Sequence, residues 1–216
     1  GEIGKIIYKP NTVAKMTGAQ FFPEARLNLA ENLLKGKDEF LAVIEVDESG
    51  NRTEFTMGKI REKVGKVAEG LLEKGVKPGD RVAAILPNRI EALITLLASA
   101  SVGAIWTSCS PDFGTKGIID RIGQTAPKVL FTTSTYIYNS KEHDFSSRIS
   151  EIVSCLKNLD SVVIVDDNLA NIFALKAVLK PFGCNILTAV NGRECLDVLK
   201  KSSQVDIKIL QPKGFS

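Results

Sequence analysis

One histidine, one tryptophan and two methionines stand among 216 residues, and aromatic side chains make up only 6% of the chain. A single imidazole excludes zinc sites built from several histidines. None of the four cysteines, Cys109, Cys155, Cys184 and Cys195, falls in a CxxC pair. All four lie in apolar or helical contexts and read as reduced core thiols, as in a cytoplasmic protein. The opening "GEIGKIIYKPN" has no apolar core of about 7–15 residues, so no secretory signal is read there. The chain begins with Gly1, which suits a fragment, a processed form or an expressed piece. The longest apolar stretch, 90–106, contains Glu91 and is interrupted by serine and glycine. It reads as a buried helix followed by a buried strand, not a membrane span. No Lys/Arg-dense block with interleaved aromatics occurs, and 28 basic against 25 acidic residues leave only +3. That balance argues against nucleic acid and is compatible with an anionic small ligand. Glycine-rich phosphate loops are missing as well: neither G-x-x-x-x-G-K-[ST] nor G-x-G-x-x-G is found.

What is present is alternation. "FLAVIEVDESGNRTEFT" (40–56) predicts a hairpin around Ser49, Gly50 and Asn51. Thr56 then caps a helix with Ile60, Val64, Val67, Ala68, Leu71 and Leu72 on one face, and Gly75 stops it. Strands follow at 81–87, 103–109, 128–134, 161–165, 184–190 and 205–210. Helices lie between them at about 90–101, 146–159, 168–183 and 192–201, and 111–123 supplies a loop and short helix. Residues 1–20 read as irregular, and "TYIYNSKEHDFSS" (135–147) as a linker. Continuous Val/Ile/Leu strands alternating with helices predict an α/β fold: a mostly parallel, doubly wound sheet with helices on both faces, plus the N-terminal hairpin. Ligands of such sheets bind beyond the carboxyl ends of the strands. The informative residues are therefore those at 87–89, 108–114, 132–141, 166–168, 191–194 and 211–214. Arg89 and Arg121 read as surface or ion-paired residues, and Trp106 as core.

Several of these segments together carry a resemblance. "FFPEARLNLAENLL" (21–34), "KPGDRVAAILPNRIEALITLLASASVGAIWTSCSPDFG" (77–114), "IIDRIGQTAPKVLF" (118–131) and "YIYNSKEHDF" (136–145) are similar to the N-terminal part of the acetoacetyl-CoA synthetases, which are acyl-adenylate-forming ligases. The resemblance covers about residues 17–165. It implies activation of acetoacetate with Mg-ATP to an acyl-adenylate, then transfer to CoA. It also implies that Ser110, Pro111, Phe113 and Gly114 approach CoA, with Lys141 as a phosphate partner. The alternative is a solvated lysine and a turn that only starts a helix. Ile137 stands where many relatives have arginine. The family's Gly-rich Ser/Thr loop and its C-terminal catalytic lysine have no counterpart among these 216 residues, so the chain alone is expected to be inactive.

Beyond Val165 the pattern changes. "VVIVDDNLANIFALKAVLKPFGCNILTAVNGRECLDVLKKSSQVDIKIL" (162–210) resembles the first half of a two-component receiver domain. That resemblance implies Mg²⁺ held by Asp166 and Asp167 together with a phosphoacceptor carboxylate. Counting from Asp206, the acceptor position holds Gln211, which cannot form an acyl-phosphate and weakens Mg²⁺ binding. The alternative, and the reading preferred for the pair, is a cap for the following helix. Two regions are thus expected, 1–161 ligase-like and 162–216 receiver-like, either separate or continuing one sheet. Three functions remain open: a ligase fragment without turnover, a signalling module with weak Mg²⁺ binding, and an inert chimera or scaffold for CoA or a nucleotide. Protein partners, or missing parts supplied in trans, are left undetermined.

Overall fold

The computed structural model describes residues 4–6, 8–10, 17–165 and 169–189. In chain order the elements are β1 (Tyr8–Lys9), β2 (Gln20–Phe21), α1 (Leu29–Leu33), β3 (Leu41–Val46), β4 (Arg52–Thr56), α2 (Met57–Glu73), β5 (Arg81–Ile85) and α3 (Ile90–Ser101). They continue as β6 (Ile105–Cys109), α4 (Thr115–Gly123), β7 (Val129–Thr132), β8 (Thr135–Tyr138), β9 (Lys141–Asp144), α5 (Ser146–Cys155), β10 (Ser161–Val165) and α6 (Leu169–Leu179). A 3-10 turn (Lys180–Phe182) and β11 (Asn185–Ala189) complete the set.

Five strands form one parallel sheet in the order β11-β10-β7-β5-β6. The fold is the expected α/β class, with helices on both faces and the β3–β4 hairpin before the sheet. The path starts at β5, steps to β6 on one side, then turns back to β7, β10 and β11 on the other. Keeping one crossover hand through that reversal puts the helix before β6 on one face and the later ones on the opposite face. This is what the packing shows. Residues of α2 and α3 fill a core against Val82, Ala84 and Phe131, whereas α4, α5 and α6 cover Ala83, Ile85, Leu130 and Ile164. Being covered on both sides, β5 and β7 need apolar residues at successive positions, hence their unbroken runs.

The helices follow their patterns. Thr56 Oγ1 accepts the Lys59 N–H at 3.4 Å, and Ile60, Val64, Val67 and Leu71 are buried at helical spacing. Leu72, expected on that face, is instead exposed, because one residue past Leu71 the helix has turned about 100°. In α6, Ile172, Leu175 and Leu179 are buried against the second face. β10 pairs with β7 from Ser161↔Val129 and with β11 from Ser161↔Asn185, so residues 169–189 continue the same sheet.

Four expectations are corrected. The stretch 135–147 is not an aperiodic linker but the hairpin β8–β9 running into α5, closed by Asn139 and Ser140 at φ of +52° and +56°. The segment read as irregular contains β1 and Gln20 of β2, and Tyr8 pairs with Phe21 across that short ladder. β6 is an edge strand, not a buried one: Ile105 is 55% exposed and Trp106 only partly buried. Cys155 is exposed, Cys184 partly so, and only Cys109 of these three thiols is a core residue. The predicted helix at 192–201, the strand at 205–210, Cys195, Asp166, Asp167 and Gln211 lie outside the described residues.

Candidate functional site

Strand order decides where the loops meet. Because the chain reverses between β6 and β7, the carboxyl ends of the neighbours β5 and β7 send their loops in opposite directions and leave a crevice between them. A cleft of about 1010 Å³ opens there, with Leu86, Pro87 and Asn88 after β5 and Thr133 and Thr135 after β7 on its walls. The loop after β6 adds Ser110 and Phe113, and Val165 comes from the end of β10. A smaller pocket of about 200 Å³ shares Leu86, Pro87, Asn88 and Ser110 with the cleft and ends on Cys109.

The segment 110–114 is held by a residue that the sequence did not single out. Arg148, on α5, donates to the Pro111 carbonyl at 3.0 Å, to the Phe113 carbonyl, and through Nε to Thr115 Oγ1 at 3.2 Å. Its partners are mostly backbone oxygens, so no sequence pattern announces them. The Phe113 N–H donates to the Ser110 carbonyl, and the Arg121 guanidinium lies 4.6 Å over the Phe113 ring. Arg121 is thus a surface cation stacked on an aromatic. Pro111 is buried and Phe113 37% exposed at the cleft wall. Gly114 precedes α4 at φ −59°, and a Cβ there would meet nothing within 4 Å. Neither backbone nor packing requires glycine at that position. Lys141 opens β9, exposed and outside the cleft lining.

The hairpin β3–β4 supplies the opposite wall. Glu45 Oε2 accepts the Ile90 N–H at 2.7 Å and caps α3 from another element, since Arg89 at the cap position makes no side-chain cap bond. Arg89 Nε stands 3.7 Å from Glu45 and 3.8 Å from Glu91, which bears out its ion-pair reading. Asp47 accepts from the Ser49 and Asn51 N–H groups, both at 2.9 Å, and from Asn51 Nδ2 at 2.8 Å. The Asn51 side chain, followed by its backbone N–H, holds the Asp47 carboxyl below its ordinary range. Glu48 accepts the N–H groups of Asn139 and Ser140 across the cleft mouth.

Charge in the cleft runs against the chain's overall balance. Among the described residues its charged lining is Glu45, Asp47, Glu48, Glu91, Asp112 and Glu142, with Arg89 as the cation, already paired. Burial, partly offset by Arg121, pushes the Cys109 thiol up to about 11, so it is not a thiolate nucleophile near neutrality. Among the described residues no group of three or more His, Cys, Asp or Glu side chains is placed to hold a metal ion. No described helix is long and apolar enough to cross a membrane.

Residues 31–181 match the family model described as "AMP-binding enzyme", a match that runs past the change of pattern at Val165. The acetoacetyl-coenzyme A synthetase of Rhizobium meliloti (strain 1021) is 44% identical over 142 residues, covering 66% of this chain and 22% of that protein. The malonamoyl-CoA synthetase of Penicillium aethiopicum is 43% identical over 151 residues, 67% of this chain and 21% of its own length. Among solved structures, the acetoacetyl-CoA synthetase from Streptomyces lividans superposes with a TM-score of 0.69 at 40% identity, covering 74% of this chain and 25% of that one. The A-PCP didomain of a carboxylic acid reductase from Segniliparus rugosus, in complex with AMP, shares the fold at 16% identity and a TM-score of 0.64. The chain spans about a fifth of the length of these curated relatives.

Proposed function

The chain belongs to the AMP-binding enzyme family, and from that premise we propose that it is part of an acetoacetate–CoA ligase. The whole ligase joins acetoacetate to AMP from ATP, releasing pyrophosphate, and then passes the acyl group to the CoA thiol, releasing AMP. The observation that carries this reading is the 44% identity to an acetoacetyl-coenzyme A synthetase over two thirds of the chain. The 43% identity to a malonamoyl-CoA synthetase supports the same substrate class: a short acid with a second carbonyl two carbons from the carboxylate.

The 216 residues contribute the parallel sheet and the cleft at its switch point, and carry out no turnover by themselves. The cleft's carboxylate lining does not fit the phosphates of ATP or CoA, because like charges would face one another in a confined space. No step through ATP, Mg²⁺ or a CoA phosphate is assigned to it. Ser110, Pro111, Phe113 and Gly114 are proposed to receive the uncharged arm of CoA against the Phe113 ring, and Lys141, outside the lining, remains the phosphate partner. The purified chain should show no acetoacetate-dependent exchange of pyrophosphate into ATP; exchange would overturn its inactivity. A CoA titration should raise its thermal midpoint, and Gly114→Ala, which the backbone tolerates, should abolish that rise. A chain that CoA leaves unshifted does not bind it at 110–114.

A second reading rests on β10, α6 and β11 forming a parallel strand–helix–strand unit. We infer from it a receiver-like half domain at 162–216, with weak Mg²⁺ binding by Asp166 and Asp167. Acetyl phosphate should leave the chain unlabelled, given Gln211. Isothermal titration that detects no Mg²⁺ binding would leave the pair as a helix cap. The signalling function falls with that result.

A further inference from the structure

We propose that Glu48 is a latch that holds the hairpin β8–β9 across the mouth of the cleft and limits entry to it. The latch is built from two rigid halves. On one side Asp47 fixes its own turn through three hydrogen bonds, and Gly50 completes that turn at φ +82°. Glu48 is therefore presented from a preorganised loop. On the other side Asn139 and Ser140 both adopt left-handed backbone, which aims two successive N–H groups into one concavity suited to an anion. The Glu48 carboxylate fills it, accepting from Asn139 at 3.1 Å and from Ser140 at 2.6 Å.

The hairpin β8–β9 is otherwise fixed at its base. β8–β9 is rooted by Phe145, fully buried, whose N–H donates to the Ser134 carbonyl at 2.7 Å. Tyr136 stacks on His143 at 5.1 Å and meets the Phe145 ring edge-on at 6.0 Å. Towards the tip, Ile137 and Tyr138 are more than half exposed. Among the described residues, the tip's hydrogen bonds to another element are the two made to Glu48. Residues 45–49 and 135–138 both line the cleft, and the Glu48 bridge joins these two parts of its rim. All three latch residues are solvent-exposed, which makes the bridge breakable without disturbing either core. Cys109 is the reporter of entry, since it lines a pocket that shares Leu86, Pro87, Asn88 and Ser110 with the cleft.

The test uses the full chain, its Glu48→Ala and Glu48→Gln variants, and Glu54→Ala, which removes a surface carboxylate paired with Arg52 instead. Amide exchange at Asn139 and Ser140 is followed by NMR, and modification of Cys109 by methyl methanethiosulfonate is followed by peptide mass. Glu48→Ala should speed exchange of both amides about ten-fold and Cys109 modification several-fold, with Cys184 unchanged. Glu48→Gln, which keeps a neutral acceptor, should fall between, and Glu54→Ala should match the parent. Unchanged Cys109 modification in Glu48→Ala sinks the gating role, even where the amides exchange faster. Equal acceleration at Cys184, or in Glu54→Ala, would mean general loosening and would equally overturn the proposal.

Discussion

The two ends of the parallel sheet are built for different purposes. At the amino end, side chains stitch neighbouring connections together. Arg81 donates to the Thr125 and Ala126 carbonyls at 2.8 and 3.0 Å and so ties off the chain leaving α4. Lys128 Nζ donates to the Gly75 carbonyl at 2.6 Å and lies 3.4 Å from Asp80 and 4.0 Å from Asp160. At the carboxyl end the loops diverge around the cleft, and the bonds there hold hairpins to one another across open space. The amino end secures the strands in register. The carboxyl end leaves room for a ligand, as open α/β sheets do.

If that contrast is right, core changes should damage both ends together. Leu175→Ala removes a fully buried side chain of α6 and should cost about 2–5 kcal/mol in denaturant unfolding. A cost near zero would mean that residues 169–189 do not belong to this core. Arg81→Ala should cost about 1.5–3 kcal/mol, because it orphans two partly buried carbonyls, while leaving Cys109 modification unchanged. A matching change at Cys109 would show that the two ends are coupled. Glu45→Ala, at the other end, should lower stability by about 1 kcal/mol through the lost α3 cap and also alter Cys109 modification. The smallest effect belongs to Gly114→Ala, which should be neutral or stabilise by up to about 1 kcal/mol, since its φ is ordinary and its Cβ is unobstructed.

Acid should loosen both ends. The Lys77 N–H, ahead of the Lys128 ammonium, holds the Asp80 carboxyl below its ordinary value of 3.8, and Asp47 is lowered mainly by Asn51. A carboxyl depressed on folding contributes stability above its unfolded value and loses it as pH falls through the lower, folded value. Unfolding titrations from pH 5 downward should therefore show stability falling below about pH 4. Asp80→Asn should flatten part of that fall, and an unaltered profile in this variant would remove Asp80 from the amino-end network.

Much of this architecture can be read along the chain. The helix at 90–101 and the strand at 161–165 stand where their periodicity places them, and the loops after β5, β6 and β7 do line the cleft. The hairpin at 135–144 was not legible, because Asn139 and Ser140 reach left-handed backbone without a glycine. Nor was Arg148, which binds carbonyls, or Glu45, which caps a helix 45 positions away. The family resemblance was legible in "SCSPDFG" and its neighbours, and residues 31–181 match the model of the broader AMP-binding enzyme family.

Local sequence settled where the described helices from α2 onward and the strands of the parallel sheet lie, because burial imposes its period residue by residue. Only the tertiary structure decided that β5 lies between β6 and β7, since strand order depends on crossover hand and distant packing that leave no local trace. From that order come the cleft, its concentration of carboxylates despite a chain of net charge +3, and the meeting of Glu48 with two amides 91 and 92 residues away.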